Sequence, residues 1–440
     1  MYNILKSPLS NFFLRPWFDS VAVRIVADWY APLSRIWAVA LSCNGDYRVF
    51  SKEFDTGICN IINLKKSLKT VNELNSEYAE AACKWDEIFF GDRELAVEIL
   101  SQTEMFRLST ANKLSRSRIF FLPLRKTSPK IKWSIQTPEE VENQFGKLLG
   151  DSSKAFLPFL APKISESKRA EGLHGPISWI KMKSPVINDI ATAKVFRPKE
   201  KIKGTILWLH GVGLEPEMWS SLVDPINQLV TRGFCVVQPE GPWHGRRRKE
   251  GYFGGEPVFA RGVSGFVEFF RAWVIEAAHW CVWVREAIGG KIAVGGISIG
   301  ALTSQLLISS SGNWPEKMRA DACFLVTTTN NIIDASLKGS LSQRLGLETA
   351  LYNAGWNREQ LLQWKRLIEP SNTPVIPPEK IVMLLGTEDT VTPYAGGISL
   401  ADMWNVPLKN RFVQHRGHFS VPLALYKDTS PLLRLTEILK

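Results

Sequence analysis

At 440 residues, 45% of them apolar, the chain is long enough to bury a substantial core and is expected to be globular. Its 54 Lys and Arg against 43 Asp and Glu give a formal charge of +11, which favours anionic surfaces or substrates. The basic residues are mostly dispersed, however, and no zinc-finger, helix-turn-helix or RNA-recognition pattern accompanies them, so nucleic acid is not an expected partner.

In chain order, MYNILKSPLSNFFLRPWFDS lacks the apolar run and small-residue cleavage site of a signal peptide. No segment reaches the ~18 consecutive apolar residues that suggest a membrane span. The six cysteines are widely spaced, several in apolar settings such as GFCVV, and read as free thiols of a cytoplasmic protein; no Cys or His run offers a metal site. From Trp17 to Leu41, apolar residues at helical spacing predict two amphipathic helices broken at Pro32. Further helices are expected over roughly 69–90 and 92–103. Residues 105–135 then carry eight basic residues and no acidic one (Arg107, Lys113, Arg116, Arg118, Arg125, Lys126, Lys130, Lys132). That run reads as a solvated basic face or as peripheral contact with an anionic membrane.

The polar stretch KISESKRAEGLHGP (163–176) reads as a connection, after which the pattern changes. Strands are predicted at 177–183, 191–196, 204–210, 234–240, 291–296, 323–329, 381–386 and 410–415. Helices are predicted near 216–232, 264–288, 301–310 and 396–404, with a helical insertion at about 332–375. Such alternation implies an α/β fold: a mostly parallel sheet with helices on both faces and ligands beyond the carboxyl ends of its strands. The expected division is a mainly helical extension over 1–170, whose role the sequence does not reveal, and an α/β domain over 171–440.

Two stretches compete for chemistry, GGISIG (295–300) and GGISLA (396–401). Ser298 follows directly on a predicted strand and opens directly into a helix, the setting of a nucleophile elbow, where Gly296 and Gly300 let strand and helix approach. Ser399 begins an ordinary helix. A serine hydroxyl needs an imidazole to take its proton and an acid to orient that imidazole. The loop GTEDTVTP (386–393) offers Glu388 and Asp389, and RFVQHRGHFS (411–420) offers His415 and His418, so the residues occur in the order serine, acid, histidine. Backbone N–H groups for an oxyanion are expected at Ile299 and, from the loop LHGVG (209–213), at Val212; His210 reads as a loop-shaping partner. In GPWHGRRR (241–248), Arg246, Arg247 and Arg248 can fork onto a carboxylate or phosphate of an acyl substrate, with His244 beside them; the plainer reading is a surface turn paired with acids such as Glu256.

From about 175 to 440 these residues resemble the α/β-hydrolase superfamily, and within it the α/β-hydrolase domain-containing 18-like proteins, on PEGPWHGRRR (239–248), the elbow, and the run from the acid loop through ISLADMW to RGHFS. The resemblance implies Ser298 as nucleophile, Asp389 as acid and His418 as base, with Glu388 and His415 as neighbouring competitors. It implies an enzyme cleaving a carboxylic ester of a small molecule or lipid, with no metal and no cofactor. The alternatives are an acyltransferase or lipid-deacylating enzyme at a membrane surface, and a non-catalytic binding protein on the same fold.

Overall fold

The computed structural model describes residues 15–55, 57, 61–159, 161–213, 225–371 and 373–440. The first helix among the described residues, α1 (Pro16–Ile25), runs through a π-helical turn at Val26–Tyr30 into α2 (Ala31–Ser42). The break expected at Pro32 is thus a change of register rather than a gap. Pro32 has no N–H for the carbonyl of Asp28, the Ala31 N–H bonds back to Val26, and Arg125 donates to the Asp28 carbonyl at 3.1 Å. A long helix, α3 (Ile61–Phe90), begins eight residues before the predicted start because Leu64 and Leu68 extend its buried stripe. It packs on α4 (Val97–Arg116). A helix that the apolar pattern had not revealed, α5 (Pro138–Gly150), starts at a reciprocal cap between Thr137 and Glu140 with proline in its first turn.

Much of the basic run is paired within the chain, although Lys113 and Lys132 keep 55% and 42% of their side chains exposed. Arg107 forks onto Glu104 and lies over Trp85, Lys113 meets Glu77 at 3.1 Å, and Arg118 lies 4.1 Å over Trp37. Arg125 covers Trp29 at 3.4 Å, Lys130 meets Asp28 at 2.7 Å, and Lys132 meets Glu53 at 3.0 Å. Six of the eight therefore each meet at least one acid or ring that is distant in sequence, knitting the helices together.

The connection at 163–176 contains two short strands, β1 (Ser165–Glu166) and β2 (Ala170–Gly172), laid antiparallel on β3 (Gly175–Lys183). Then come β4 (Ile190–Phe196), β5 (Gly204–Leu209), β6 (Phe234–Pro239), α6 (Val263–Ala287), β7 (Ile292–Ile297), α7 (Ile299–Ser310) and β8 (Ala322–Val326). The helical insertion runs from Ile332 through short helices to Ile368. It is followed by β9 (Ile381–Gly386), α8 (Tyr394–Met403), β10 (Arg411–Gln414), α9 (Ser420–Ala424) and α10 (Ser430–Leu439). Of the helix expected near 216–232, Ile226–Val230 is helical, and 216–224 lies outside the described residues.

The sheet runs β1-β3-β4-β6-β5-β7-β8-β9-β10, parallel from β6 through β5 to β10 and antiparallel at the β3–β4 and β4–β6 pairs. Both faces are buried. Along β5, Leu207 and Leu209 join the core under α6 and α7, whereas Ile206 and Trp208 join the core under α10. This sheet order, with crossover helices on both faces, is the α/β-hydrolase fold. No helix among the described residues is long and apolar enough to cross a membrane.

Candidate active site

The carboxyl ends of β5, β7 and β9 open on one side of the sheet, and the turns that follow them meet there. After β7 the chain reverses at Ser298, whose φ of 55° and ψ of −123° are costly for any residue with a Cβ. The neighbouring glycines make that turn sterically feasible. A Cβ on Gly300 would strike the carbonyl of Leu209 in β5, and one on Gly296 would strike both that carbonyl and Gly300. Ser298 thereby projects its hydroxyl from the tip of the strand, and Ile299 begins α7, where the first N–H groups have no partner within the helix.

The hydroxyl of Ser298 lies 3.0 Å from Nε2 of His418, and Nδ1 of the same ring lies 2.8 Å from Oδ2 of Asp389. Both partners are buried. Asp389 accepts from the N–H groups of Val391 and Thr392, each at 2.9 Å on Oδ1, while the Thr392 hydroxyl sits 2.9 Å from Oδ2 and 3.1 Å from His418 Nδ1. The carboxylate is therefore immobilised on both oxygens. The competitors pair with each other instead: His415 Nδ1 lies 3.2 Å from Glu388, at 77% and 43% side-chain exposure. Ser399 is exposed within α8 and accepts from Asn330 at 3.0 Å.

The loop after β5 is braced by two histidines. His210 donates from Nδ1 to the Gly211 carbonyl at 2.8 Å and accepts from the Gly241 N–H at 2.9 Å; His244 donates from Nδ1 to the Pro242 carbonyl at 2.8 Å and accepts from the Gly213 N–H at 3.2 Å. These carbonyl and N–H partners define the neutral tautomer of each ring. Burial pushes His210 down to about 4 and His244 well below its ordinary value. From the other side the Tyr30 hydroxyl donates to the Gly213 carbonyl at 3.0 Å. Gly211, Val212 and Gly213 of this turn line the same pocket as Ser298 and Ile299, and the Gly213 N–H is engaged by His244.

That pocket, about 370 Å³, has Ser298 and His418 in its wall, and among the described residues that line it none carries an acidic or basic chain other than His418 itself. The described wall is mostly apolar, with Phe253, Phe266, Leu302 and Leu341 from the α/β part, Ile25 from α1 and Val26 from the π-helical turn after it. Arg246, Arg247 and His244, expected as substrate contacts, do not line this pocket. Arg247 is buried in a double ion pair, 2.7 Å from Glu276 and 2.9 Å from Asp189, and also donates to the Glu240 carbonyl. Arg246 meets Glu240 at 3.2 Å and covers Trp85. The acid Glu256, offered as their surface partner, is itself buried and pushed up to about 7 by that burial, facing Arg35 and accepting from the N–H groups of Lys132 and Phe253. Among the described residues no cluster of three or more His, Cys, Asp or Glu is arranged to hold a metal ion.

Three contributors escaped the sequence. Thr392 sits three residues beyond Asp389, a spacing that a side-chain turn motif could have suggested. Tyr30 and Asp19, in the helical N-terminus, carry no local signal at all.

The sheet order and the elbow place the chain in the class of α/β-hydrolase-fold proteins. No family model and no curated protein matches it. Among solved structures it is similar to acetyl xylan esterase 1 from Thermoanaerobacterium sp. JW/SL YS485, 16% identical with a TM-score of 0.44 over 67% of this chain and 96% of that one. It is also similar to an acetyl xylan esterase from Paenibacillus sp. R4, 13% identical with a TM-score of 0.48 over 70% of this chain and 98% of that one. A cold-adapted esterase from an Arctic intertidal metagenomic library is 16% identical, with a TM-score of 0.41 over 62% and 98%. At these identities the likeness is one of chain path.

Proposed function

We propose that the chain is a serine hydrolase that cleaves a carboxylic ester whose acyl part is apolar and uncharged. The observation that carries this reading is the hydrogen-bonded series Ser298, His418, Asp389 opening on an apolar pocket. Ser298 Oγ attacks the ester carbonyl as His418 Nε2 takes its proton, and Asp389 holds the ring in the required tautomer and stabilises its charged form. The oxyanion is met by the N–H groups of Ile299 and Val212. His418 then gives the proton to the leaving alcohol; water, deprotonated by the same ring, attacks the acyl carbon, and His418 returns the proton to Ser298 Oγ as the acid leaves. An uncharged wall suits a hydrocarbon acyl chain, since an anionic group there would be desolvated without a partner. The stretches 239–248 and 386–420 support kinship with the α/β-hydrolase domain-containing 18-like branch, and free buried thiols at Cys43, Cys235, Cys281 and Cys323 support a reducing compartment.

The test is labelling with a fluorophosphonate probe. Wild type is expected to label and to turn over p-nitrophenyl esters, with longer acyl chains preferred, and Ser298→Ala is expected to do neither, while Ser399→Ala keeps most of both. An unreactive Ser298 in folded protein would move the chain to the non-catalytic reading.

A second reading, deacylation or acyl transfer at a membrane surface, is favoured by one observation. Trp17, Val21, Ile25 and Trp29 recur every four residues along α1 and the π-helical turn after it at 41% to 53% exposure, and Ile25 also lines the pocket. An apolar stripe that runs into the pocket is what an enzyme drawing an acyl chain from a lipid surface requires.

A further inference from the structure

The loop that carries His418 is short and has little regular structure of its own: β10 ends at Gln414 and α9 begins at Ser420. Residues 415–419 must nonetheless hold the imidazole between Asp389 and Ser298 closely enough for proton transfer. The group that grips this loop comes from the other end of the chain. Asp19 in α1 is buried, at 6% exposure, and its two carboxylate oxygens accept four hydrogen bonds from the residues flanking His418. Oδ2 accepts from the Gly417 N–H at 3.2 Å and from the Ser420 hydroxyl; Oδ1 accepts from the Ser420 N–H at 3.1 Å and from the Phe419 N–H. The Ser420 hydroxyl in turn lies 3.1 Å from the Gly417 N–H, closing the turn on itself. Contact is close enough that a Cβ at Gly417 would run into the Asp19 carboxyl, so the glycine of RGHFS is needed for this approach. The positive charge of Arg416, in the same loop, adds to the attraction.

We propose that Asp19 is a positioning residue for the catalytic histidine: it clamps the backbone at 417–420 from across the molecule and so sets where His418 Nε2 stands relative to Ser298. The proposal rests on the ester-hydrolase reading and gives α1 a role in it. Three backbone N–H groups and a hydroxyl converging on one buried carboxylate leave the loop little freedom. Without the carboxylate, the Phe419 and Ser420 N–H groups would lose their acceptor and the loop would rearrange to hydrate them. A displacement of about 1 Å at the base can cost on the order of 10²-fold in rate without altering ground-state binding.

The experiment compares wild type, Asp19→Ala and Asp19→Asn by hydrogen exchange of the 417–420 amides and by kcat and KM on a soluble p-nitrophenyl ester, with active sites counted by fluorophosphonate. Exchange at 417–420 is expected to accelerate in Asp19→Ala while the β7–β9 amides stay protected. Its kcat is expected to fall 10- to 100-fold with KM within about two-fold. Asp19→Asn, which keeps one acceptor oxygen, should lie between, and it serves as the reporter if Asp19→Ala does not fold. Unchanged exchange at 417–420, or faster exchange with kcat within two-fold of wild type, would overturn the proposal. A wild-type Ser298 inert to the probe would overturn the hydrolase reading and the catalytic consequence with it, while the exchange measurement still decides whether Asp19 holds the loop.

Discussion

One carboxylate separates from its neighbour at Asp389. Glu388 and Asp389 are adjacent, of the same charge and in the same loop, yet opposite side-chain directions send one to solvent beside His415 and the other into a pocket of donors beside His418. The hydrogen bonds from Val391 and Thr392 occupy Oδ1, so Oδ2 is left to orient the imidazole. Asp389→Asn is therefore expected to lower kcat by about 10²- to 10⁴-fold, because an amide presenting its NH₂ to Nδ1 favours the wrong tautomer. Glu388→Gln is expected to stay within two-fold of wild type. Steady-state kinetics on one soluble ester checks both; a reversed ranking would move the acid to Glu388. In the sequence the two acids, like the two histidines, are indistinguishable by type and spacing. What separates them is burial, which no local pattern carries.

The loops after β5 and β6 act as one element, since the rings of His210 and His244 stand 4.9 Å apart and each bonds backbone of both loops. Arg247 anchors the second loop to α6 through Glu276, which is why its charge is spent inside the protein and not on a ligand. Both rings must stay neutral to keep their acceptor nitrogens. Their native values lie below the unfolded value of about 6.5, so the unfolded chain binds protons that the native one refuses. The stabilisation from His210 is fully present above pH 6.5 and is lost as pH falls toward about 4, and that from His244 is lost in the same direction. For His210 the loss by pH 4 is on the order of 3 kcal/mol. Urea unfolding at pH 7, 6 and 5 is expected to show a falling stability, with the His210 and His244 resonances unshifted in the native state over the same range. Native resonances that titrate near 6.5 would remove these rings as the cause.

At the scale of the molecule, the N-terminal helices are part of the site. They supply one wall of the pocket, the Tyr30 bond to the loop after β5 and the Asp19 bonds to the His418 loop. They also carry the exposed stripe of Trp17, Val21, Ile25 and Trp29. If lipid surfaces are the source of substrate, Trp17→Ser combined with Val21→Ser should reduce the fraction bound to phospholipid vesicles several-fold and leave turnover of a soluble short ester unchanged. Because six of the eight basic residues at 105–135 are already paired within the chain, raising salt from 0.01 to 0.1 M, which shortens the Debye length from ~30 to ~10 Å, should weaken that binding only modestly. Co-sedimentation of wild type and variant at both salt concentrations checks this. Equal binding by both would count against the stripe, and a steep salt dependence would return the basic residues to the role of a membrane contact.

The alternation of strands and helices after residue 175, the elbow at Ser298 and the order serine, acid, histidine were all legible in the sequence, because each is a local pattern: side-chain period, glycine at a crowded turn, polar residues at strand ends. The short strands β1 and β2 were not, since a strand of two or three residues is defined by its partner β3 and not by its own composition. The resemblance favoured Asp389 over Glu388, but the burial that separates them, the internal pairing of the arginines at 246–247 and of the basic run, and the reach of Asp19 to residues some 400 positions away are visible only in the tertiary structure. Each depends on which charges lose their water and which partner is then within reach, and that is a property of the packed molecule rather than of any stretch of its chain.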